Sequence, residues 1–254
     1  MSMREIAYAK LNLALHVRAR EADGYHRIET IFAFCEDGDV VSAEPAERLS
    51  LTVTGPFAGA LAGEADNLVL RAARAAGATA TLTLDKRLPV AAGLGGGSAD
   101  AAAVLRLFGG SMADAAVLGA DVPACLLSRT ARGVGRGDEI EPVDLPGLSG
   151  TPVLLVNPNI PLPTGPVFKG WDGVDRGPLG DWESGRNDLE APARALVPEI
   201  AAVLAALADA RIARMSGSGA TCFGLYENEA ARDAAAARIA AEKPGWWLSQ
   251  TRLR

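Results

Sequence analysis

The sequence predicts a mixed α+β protein in two halves, and three patterns carry that expectation. Apolar and polar residues alternate with period two in several short stretches, the mark of strands with one buried side. Alanine-rich segments of helical spacing lie between those stretches. The turn signals Pro146-Gly147 and Ser149-Gly150 then divide the chain, so that 1–148 and 149–254 are expected to be separate domains, each a mixed or antiparallel sheet packed with helices.

The elements follow in order. In 6–17, Ala7, Ala9, Leu11, Leu13, Leu15 and Val17 fall on one side of a strand, with Tyr8, Lys10, Asn12, Ala14 and His16 on the other. Asp23-Gly24 is a turn, and 27–34 reads as the return strand. Asp37-Gly38-Asp39 marks a second turn before strands at 40–44 and 49–54. A helix is expected after Asp66-Asn67, with Gly77 as its stop, then a strand at 79–84. The glycine loop 93–98 opens a helix over 99–108, and Asp121-Val122-Pro123 resembles a helix start. A hairpin is expected around Arg136-Gly137-Asp138 and a buried strand at 153–156. The Gly-, Pro-, Asp- and Trp-rich stretch 170–185 reads as a mobile loop. Helices over 191–210 and 229–242 flank a Gly/Ser loop and a strand at 221–226, and a last strand covers 246–253.

Composition narrows the function. The 254 residues are 49% hydrophobic and 22% charged, enough apolar content for a sizeable core. A net charge of −6 argues against a general nucleic-acid or acidic-membrane binder. The apolar run 200–208 is far shorter than the ~20 residues a spanning helix needs, and Lys10 and Asn12 interrupt any signal-peptide core. Three cysteines without Cys-x-x-Cys spacing and only two histidines indicate neither a disulfide framework nor a metal site. A reduced, cytoplasmic globular protein is expected.

The strongest local signal is the run 88–100, Leu-Pro-Val-Ala-Ala-Gly-Leu-Gly-Gly-Gly-Ser-Ala-Asp. Its glycines let backbone N–H groups approach a ligand, and the following helix directs its unpaired donors and positive dipole end there, an arrangement suited to phosphate. A flexible turn with Ser98 as N-cap is the alternative. No Gly-Lys-Ser/Thr follows, and the spacing is not Gly-x-Gly-x-x-Gly. A second loop, Met215 to Thr221, is either a tight helix-to-strand connection or a partner of the first in holding one nucleotide. Lys10, one of four lysines against 21 arginines, is either a solvent-facing edge residue or an ammonium that stabilises phosphate charge. Asp121 is an N-cap or a catalytic carboxylate, Gly24-Tyr25-His26 a hairpin tip or a holder for a flat base, and His16 structural.

Taken together, residues 7–13 (Ala-Tyr-Ala-Lys-Leu-Asn-Leu), the loop at 89–100 and the loop at 214–223 resemble, in this order, the three motifs of the GHMP small-molecule kinases. The segments Arg20 to His26 with Thr30, Gly119 to Pro123, Pro163 to Phe168 and Asn187 to Glu190 are similar to those of members acting on a cytidine diphosphate conjugate. The resemblance implies a two-domain GHMP α+β architecture and ATP-dependent phosphorylation of that conjugate's 2-hydroxyl, in isoprenoid precursor synthesis by the non-mevalonate route. It implies two small-molecule ligands, no nucleic acid or membrane partner, and a monomer or weak homodimer.

Residue by residue, the resemblance makes Asp121 the base that takes the hydroxyl proton and Lys10 its partner, with Asn12 lining the same pocket. Pro89, Gly93, Leu94, Gly95, Gly96, Gly97 and Ser98 match the loop around the ATP phosphates, and Asn67 the segment near adenine. Tyr25 and Phe168 match a pair of aromatics on either side of the cytosine, with His26 as its hydrogen-bonding partner. Ser216, Gly217 and Gly219 match the third motif. No Glu stands in the helix after the loop to ligate Mg²⁺, so the ion is expected on the phosphates and water, with Ser98. The stretch 109–118 is short for the family, and Gly165 separates Thr164 from Pro166. Two other readings are a kinase of this family with another alcohol acceptor and a non-catalytic nucleotide-binding regulator on the same scaffold.

Overall fold

The structure, a computed structural model, describes residues 2–62 and 67–254, so Asp66 of the expected helix start lies outside the described residues. Contacts group the chain into two compact units, neither of them one continuous stretch. The first comprises Met1–Lys10, Asp37–Val90 and Gly95–Ser128, and the second Leu11–Glu36, Ala91–Leu94 and Arg129–Arg254. Two long paired strands, β1 (Met3–Arg20) and β2 (His26–Pro45), contribute residues to both. The expected boundary at 148–149 falls inside the second unit.

In the first unit, β3 (Ser50–Thr54) pairs in parallel with β4 (Ala80–Asp85), and β4 pairs antiparallel with the end of β2, Val40 opposite Asp85. Among the described residues these strands are accompanied by the α-helices α1 (Leu68–Ala75), α2 (Gly96–Phe108), α3 (Met112–Leu118) and α4 (Val122–Leu127). Helix α1 starts on Asn67, whose side chain accepts from the Val69 N–H at 2.9 Å. The short 109–118 stretch holds α3, started by a Ser111/Asp114 capping box that satisfies donors at both positions. Val41, Val69, Leu82, Leu84, Leu105 and Val122 are buried in this unit.

The expected turn at Asp37-Gly38-Asp39 does not form, because β2 runs through it. A Cβ on Gly38 would collide with the Ala7 carbonyl of β1, so this glycine permits a close strand approach where the sequence read a turn. Asp39 is fully buried and ion-paired with Lys86, where a turn aspartate would be wet.

In the second unit, residues 30–32 of β2 pair with β5 (Ala131–Val134), which forms the expected hairpin with β6 (Glu139–Pro142). A separate antiparallel sheet has the order β10-β7-β9-β8, with β7 Pro152–Asn157, β8 Ile212–Met215, β9 Cys222–Leu225 and β10 Trp247–Arg252. Helices α5 (Thr164–Lys169), α6 (Glu190–Leu196), α7 (Glu199–Ala206) and α8 (Glu229–Glu242) belong to this unit. Leu154, Val156, Trp171, Val197, Ile200, Val203, Met215 and Ile239 share its core.

Two expectations change here. The single helix over 191–210 is two helices, because Pro198 lacks the N–H and imposes the backbone that ends α6 at Leu196. The loop 215–221 joins two strands rather than a helix and a strand, because Ile212–Met215 pairs with β9. The stretch 170–185 forms no helix or strand but is tied down: Trp171 and Leu179 are buried, the Leu179 N–H donates to Glu29 at 2.9 Å, and Arg18 binds Asp175.

Candidate active site

In the first unit, Lys10 and Asp121 meet. Lys10 is buried on β1, and its Nζ lies 3.2 Å from an oxygen of Asp121, whose side chain is 39% exposed. Asp121 occupies the N-cap position of α4 but caps nothing. Its backbone is already helical, φ −81° and ψ −15°, and its side chain makes no cap hydrogen bond. A capping aspartate has extended backbone and accepts from the second or third N–H of its helix. The carboxylate is turned to the ammonium instead, so the N-cap reading of Asp121 does not hold.

The glycine loop is built against this pair. Gly95 adopts the left-handed region at φ +63°, and a Cβ there would lie 2.9 Å from Lys10 Cε. Helix α2 begins at Gly96, three residues earlier than expected, so Gly97 and Ser98 lie in its first turn and Ser98 is no N-cap. The first N–H groups of that turn have no partner within the helix. A Cβ on Gly96 would lie 2.9 Å from Lys86 Nζ, whereas Gly97 is exposed and meets only Leu68 Cδ1, at 3.6 Å. Glycine at 95 and 96 therefore makes room for lysine side chains, not only for a ligand. Pro89 is buried at the loop's entry, and Asn67 stands at the start of α1, next to the Leu68 that faces Gly97.

Beneath the loop sits a buried charged triad that sequence reading did not single out. Lys86 Nζ bonds Asp39 and, at 2.9 Å, Asp100 Oδ2. The other oxygen of Asp39 accepts the backbone N–H groups of Arg87, at 2.5 Å, and Leu88, at 2.8 Å, which fixes the chain entering the loop. Asp100 Oδ1 has no hydrogen-bond partner among the described residues. Burial pushes the Asp100 carboxyl up to about 7 against the opposing pull of Lys86. Lys86 itself is raised, since two carboxylates outweigh its desolvation. Cys125 is also enclosed near the Lys10–Asp121 pair, its thiol pushed up to about 12 by burial and then by the Asp121 charge.

In the second unit, the two glycine loops interlock. The Ser216 hydroxyl donates to the Gly93 carbonyl at 2.9 Å and accepts the Asn12 N–H at 3.2 Å. A Cβ on Gly93 would strike the Ser216 carbonyl, and one on Gly217 would lie 3.0 Å from Gly93 O. The Asn12 amide donates to Thr30 at 2.8 Å, and Asn187 holds the carbonyls of Met215 and Gly217, each at 2.8 Å. Ser216, Gly217 and Gly219 are buried, and so is Leu94. His16 is structural as expected: its Nδ1 faces Gly177 O at 3.2 Å and its Nε2 accepts the Arg186 N–H.

The aromatic residues lie in the same unit. The ring of His26 is 5.2 Å from that of Phe168 and 5.7 Å, edge-on, from Trp171. Tyr25 is 57% exposed, and the Arg136 guanidinium stacks on its ring at 4.2 Å, anchored by Glu21 and Asp23. Arg20 donates to His26 Nε2 at 3.2 Å and to the Lys169 and Trp171 carbonyls. Burial, and then the Arg20 charge, holds the His26 imidazole below its ordinary range. Arg20, Arg136 and Trp171 are the contributors here that the motif reading passed over.

Fold and site define a small-molecule kinase of the GHMP type. The profile described as GHMP kinases N terminal domain matches residues 67–129, and that described as GHMP kinases C terminal matches 175–245. A 4-diphosphocytidyl-2-C-methyl-D-erythritol kinase of Rhizorhabdus wittichii is 58% identical over all of this chain and 96% of its own length. One from Novosphingobium aromaticivorans is 55% identical over all of this chain and 94% of its own. The crystal structure of a 4-(cytidine 5'-diphospho)-2C-methyl-D-erythritol kinase superposes with a TM-score of 0.81 at 35% identity, covering 98% of this chain and 99% of that one. A homoserine kinase from Cytophaga hutchinsonii, TM-score 0.69 at 15% identity over 99% of this chain and 95% of its own, shares the fold. The chain belongs to the 4-diphosphocytidyl-2-C-methyl-D-erythritol kinase family. No helix among the described residues is long and apolar enough to cross a membrane.

Proposed function

We propose that this chain transfers the γ-phosphoryl group of ATP to the 2-hydroxyl of 4-diphosphocytidyl-2-C-methyl-D-erythritol, as a cytoplasmic monomer or weak homodimer. The observation that carries the site assignment is the Lys10–Asp121 pair packed against Gly95, at the entry to a helix whose first turn is Gly96-Gly97-Ser98. A carboxylate that caps nothing, an ammonium beside it and a run of unpaired N–H donors are what proton removal and phosphate binding need.

In this reading Asp121 accepts the hydroxyl proton as that oxygen attacks the γ-phosphorus. The bond from phosphorus to the β,γ-bridging oxygen breaks, and ADP leaves with its electron pair. Base help of this kind contributes roughly 10²–10⁴-fold, and the loose transition state leaves positioning and electrostatics to do the rest. Lys10 orients Asp121 and offsets charge on the attacking oxygen. The first turn of α2 receives the phosphates, and Ser216, Gly217 and Gly219 buttress the loop through Gly93. Asn12 lines the acceptor pocket, and Asn67 stands near the adenine. Phe168 and the face of Tyr25 away from Arg136 hold the cytosine, with His26 as its hydrogen-bonding partner.

The described residues hold no group of three His, Cys, Asp or Glu that could cage a metal. Mg²⁺ would be carried by the phosphates and water, and the Ser98 hydroxyl is the side-chain oxygen that would help to hold it. When bound there, Mg²⁺ neutralises phosphate charge.

The test is ADP release from Mg-ATP with the cytidylyl conjugate, alongside homoserine, mevalonate and galactose. Turnover with the conjugate alone is expected. Turnover with another alcohol would cancel the cytosine pocket, and ATP binding with no turnover on any acceptor would make the chain a nucleotide-binding regulator.

A further inference from the structure

We infer that Arg20 is a specificity-positioning residue: by donating to His26 Nε2 it locks that imidazole as its Nδ1–H tautomer, which makes the base pocket accept cytosine and reject uracil. The inference rests on the proposed cytosine pocket and adds to it the origin of its selectivity.

A guanidinium has five donors, no acceptor, and keeps its proton at any working pH. The 3.2 Å contact from Arg20 Nε therefore requires a lone pair on His26 Nε2. His26 is buried, 7% exposed, with its ring beside those of Phe168 and Trp171, two rings without charge, and Arg20 is the charged group that faces it. Desolvation and that cation both favour the neutral ring. A neutral imidazole with Nε2 accepting must carry its proton on Nδ1. The outcome is a fixed N–H donor on the Nδ1 edge of the ring.

Arg20 is itself over-determined. Its second arm holds the carbonyls of Lys169 at 3.3 Å and Trp171 at 3.2 Å, so the residue that sets the tautomer also ties the end of α5, with Phe168, to His26. The pairing edge of cytosine offers an acceptor at ring nitrogen N3, whereas uracil carries N3–H. A locked Nδ1–H matches the first and opposes the second, donor against donor. An imidazole free to change tautomer would serve both bases.

The experiment has two arms. In the first, ¹⁵N-histidine labelling of the intact protein reads the tautomer from the ring nitrogen shifts; the chain has two histidines, and His26→Asn assigns them. The expected spectrum shows His26 neutral with its proton on Nδ1, and a proton on Nε2 would overturn the inference. In the second, kcat/KM is compared for the cytidine conjugate and its uridine counterpart. Arg20→Met is expected to lower the cytidine preference by about tenfold or more, the scale of one well-placed base contact, with KM for ATP unchanged. An undiminished preference in that variant, with ATP kinetics intact, would refute the role of Arg20 while leaving the cytosine pocket standing. A wild-type protein without cytidine preference would instead remove the pocket, and this inference with it.

Discussion

Replacing Lys86 by Met tests whether the charges under the glycine loop divide their work as the geometry indicates. The side chains of Lys86, Asp39 and Asp100 are 3%, 0% and 3% exposed, so solvent cannot compensate for a lost partner. Removing one member of a buried ion pair costs about 3–5 kcal/mol. For a chain of this length each kcal/mol lowers Tm by roughly 2–4 °C, so a fall of about 6–20 °C is expected.

The two aspartates should not match each other. In Asp39→Asn the amide oxygen still accepts the N–H groups of Arg87 and Leu88, but the amide N–H group then faces the buried Lys86 ammonium, which loses its counter-ion, so the cost stays at about 3–5 kcal/mol. Asp100 has one unpartnered oxygen and a carboxyl raised to about 7, so it is already partly neutral at physiological pH. Asp100→Asn should cost less than about 1 kcal/mol. Its folded pKa lies above the unfolded value, so the folded state binds the proton more tightly, and this group's stabilisation fades as pH rises from about 4 to 7. Urea unfolding of wild type and Asp100→Asn at several pH values in that window isolates this slope as the difference between them. Equal losses for Asp100→Asn and Lys86→Met would refute the reasoning, because Asp100 would then be a full ionic partner.

Other outcomes follow from the same geometry. Asp121→Asn should lower kcat by about 10²–10⁴-fold with ATP affinity nearly unchanged by calorimetry, and full turnover would exclude Asp121 as the base. Tyr25→Ala should raise KM for the cytidylyl conjugate and leave KM for ATP alone; a shift in the ATP value instead would count against the base-holding role. Gly93→Ala should destabilise and inactivate together in thermal melts and turnover, since its Cβ strikes the Ser216 carbonyl at a φ of +76°. His16 and His26 are both held below the ordinary imidazole range, chiefly by burial. The unfolded chain takes up their protons first, so their stabilisation is lost as pH falls below about 6.5; His16→Gln should flatten that acid limb.

The sequence made visible what is local. The β1 strand, the Asn67 start of α1 and the Asp121-Val122-Pro123 helix start each fit within a few residues and lie close to where they were expected. Both sides of β1 are nevertheless buried over 9–17, where one polar side was expected, and α2 opens inside the glycine run. What went unread depends on partners far along the chain. Gly38 is a turn signal until the Ala7 carbonyl stands against it. Asp39 and Lys86 are 47 residues apart, and Arg136 reaches Glu21 across 115, separations at which no periodicity operates. Pro198 was legible in principle, yet the alanine-rich pattern on both sides of it outweighed one breaker. For Asp121 the motif supplied the residue, but only the helical backbone and the turned carboxylate set the cap reading aside.

The three thiols have a practical consequence. Cys35, Cys125 and Cys222 are all buried and form no disulfide, one in the first unit and two in the second. Burial raises Cys125 and Cys222 far above the range where thiolate forms at neutral pH. An alkylating reagent therefore finds no target on the closed protein and labels each cysteine only when its surroundings open. Peptide mapping after timed exposure would give the opening rate of each unit from native residues, with no probe introduced, and added ligand would show which of those clocks it slows.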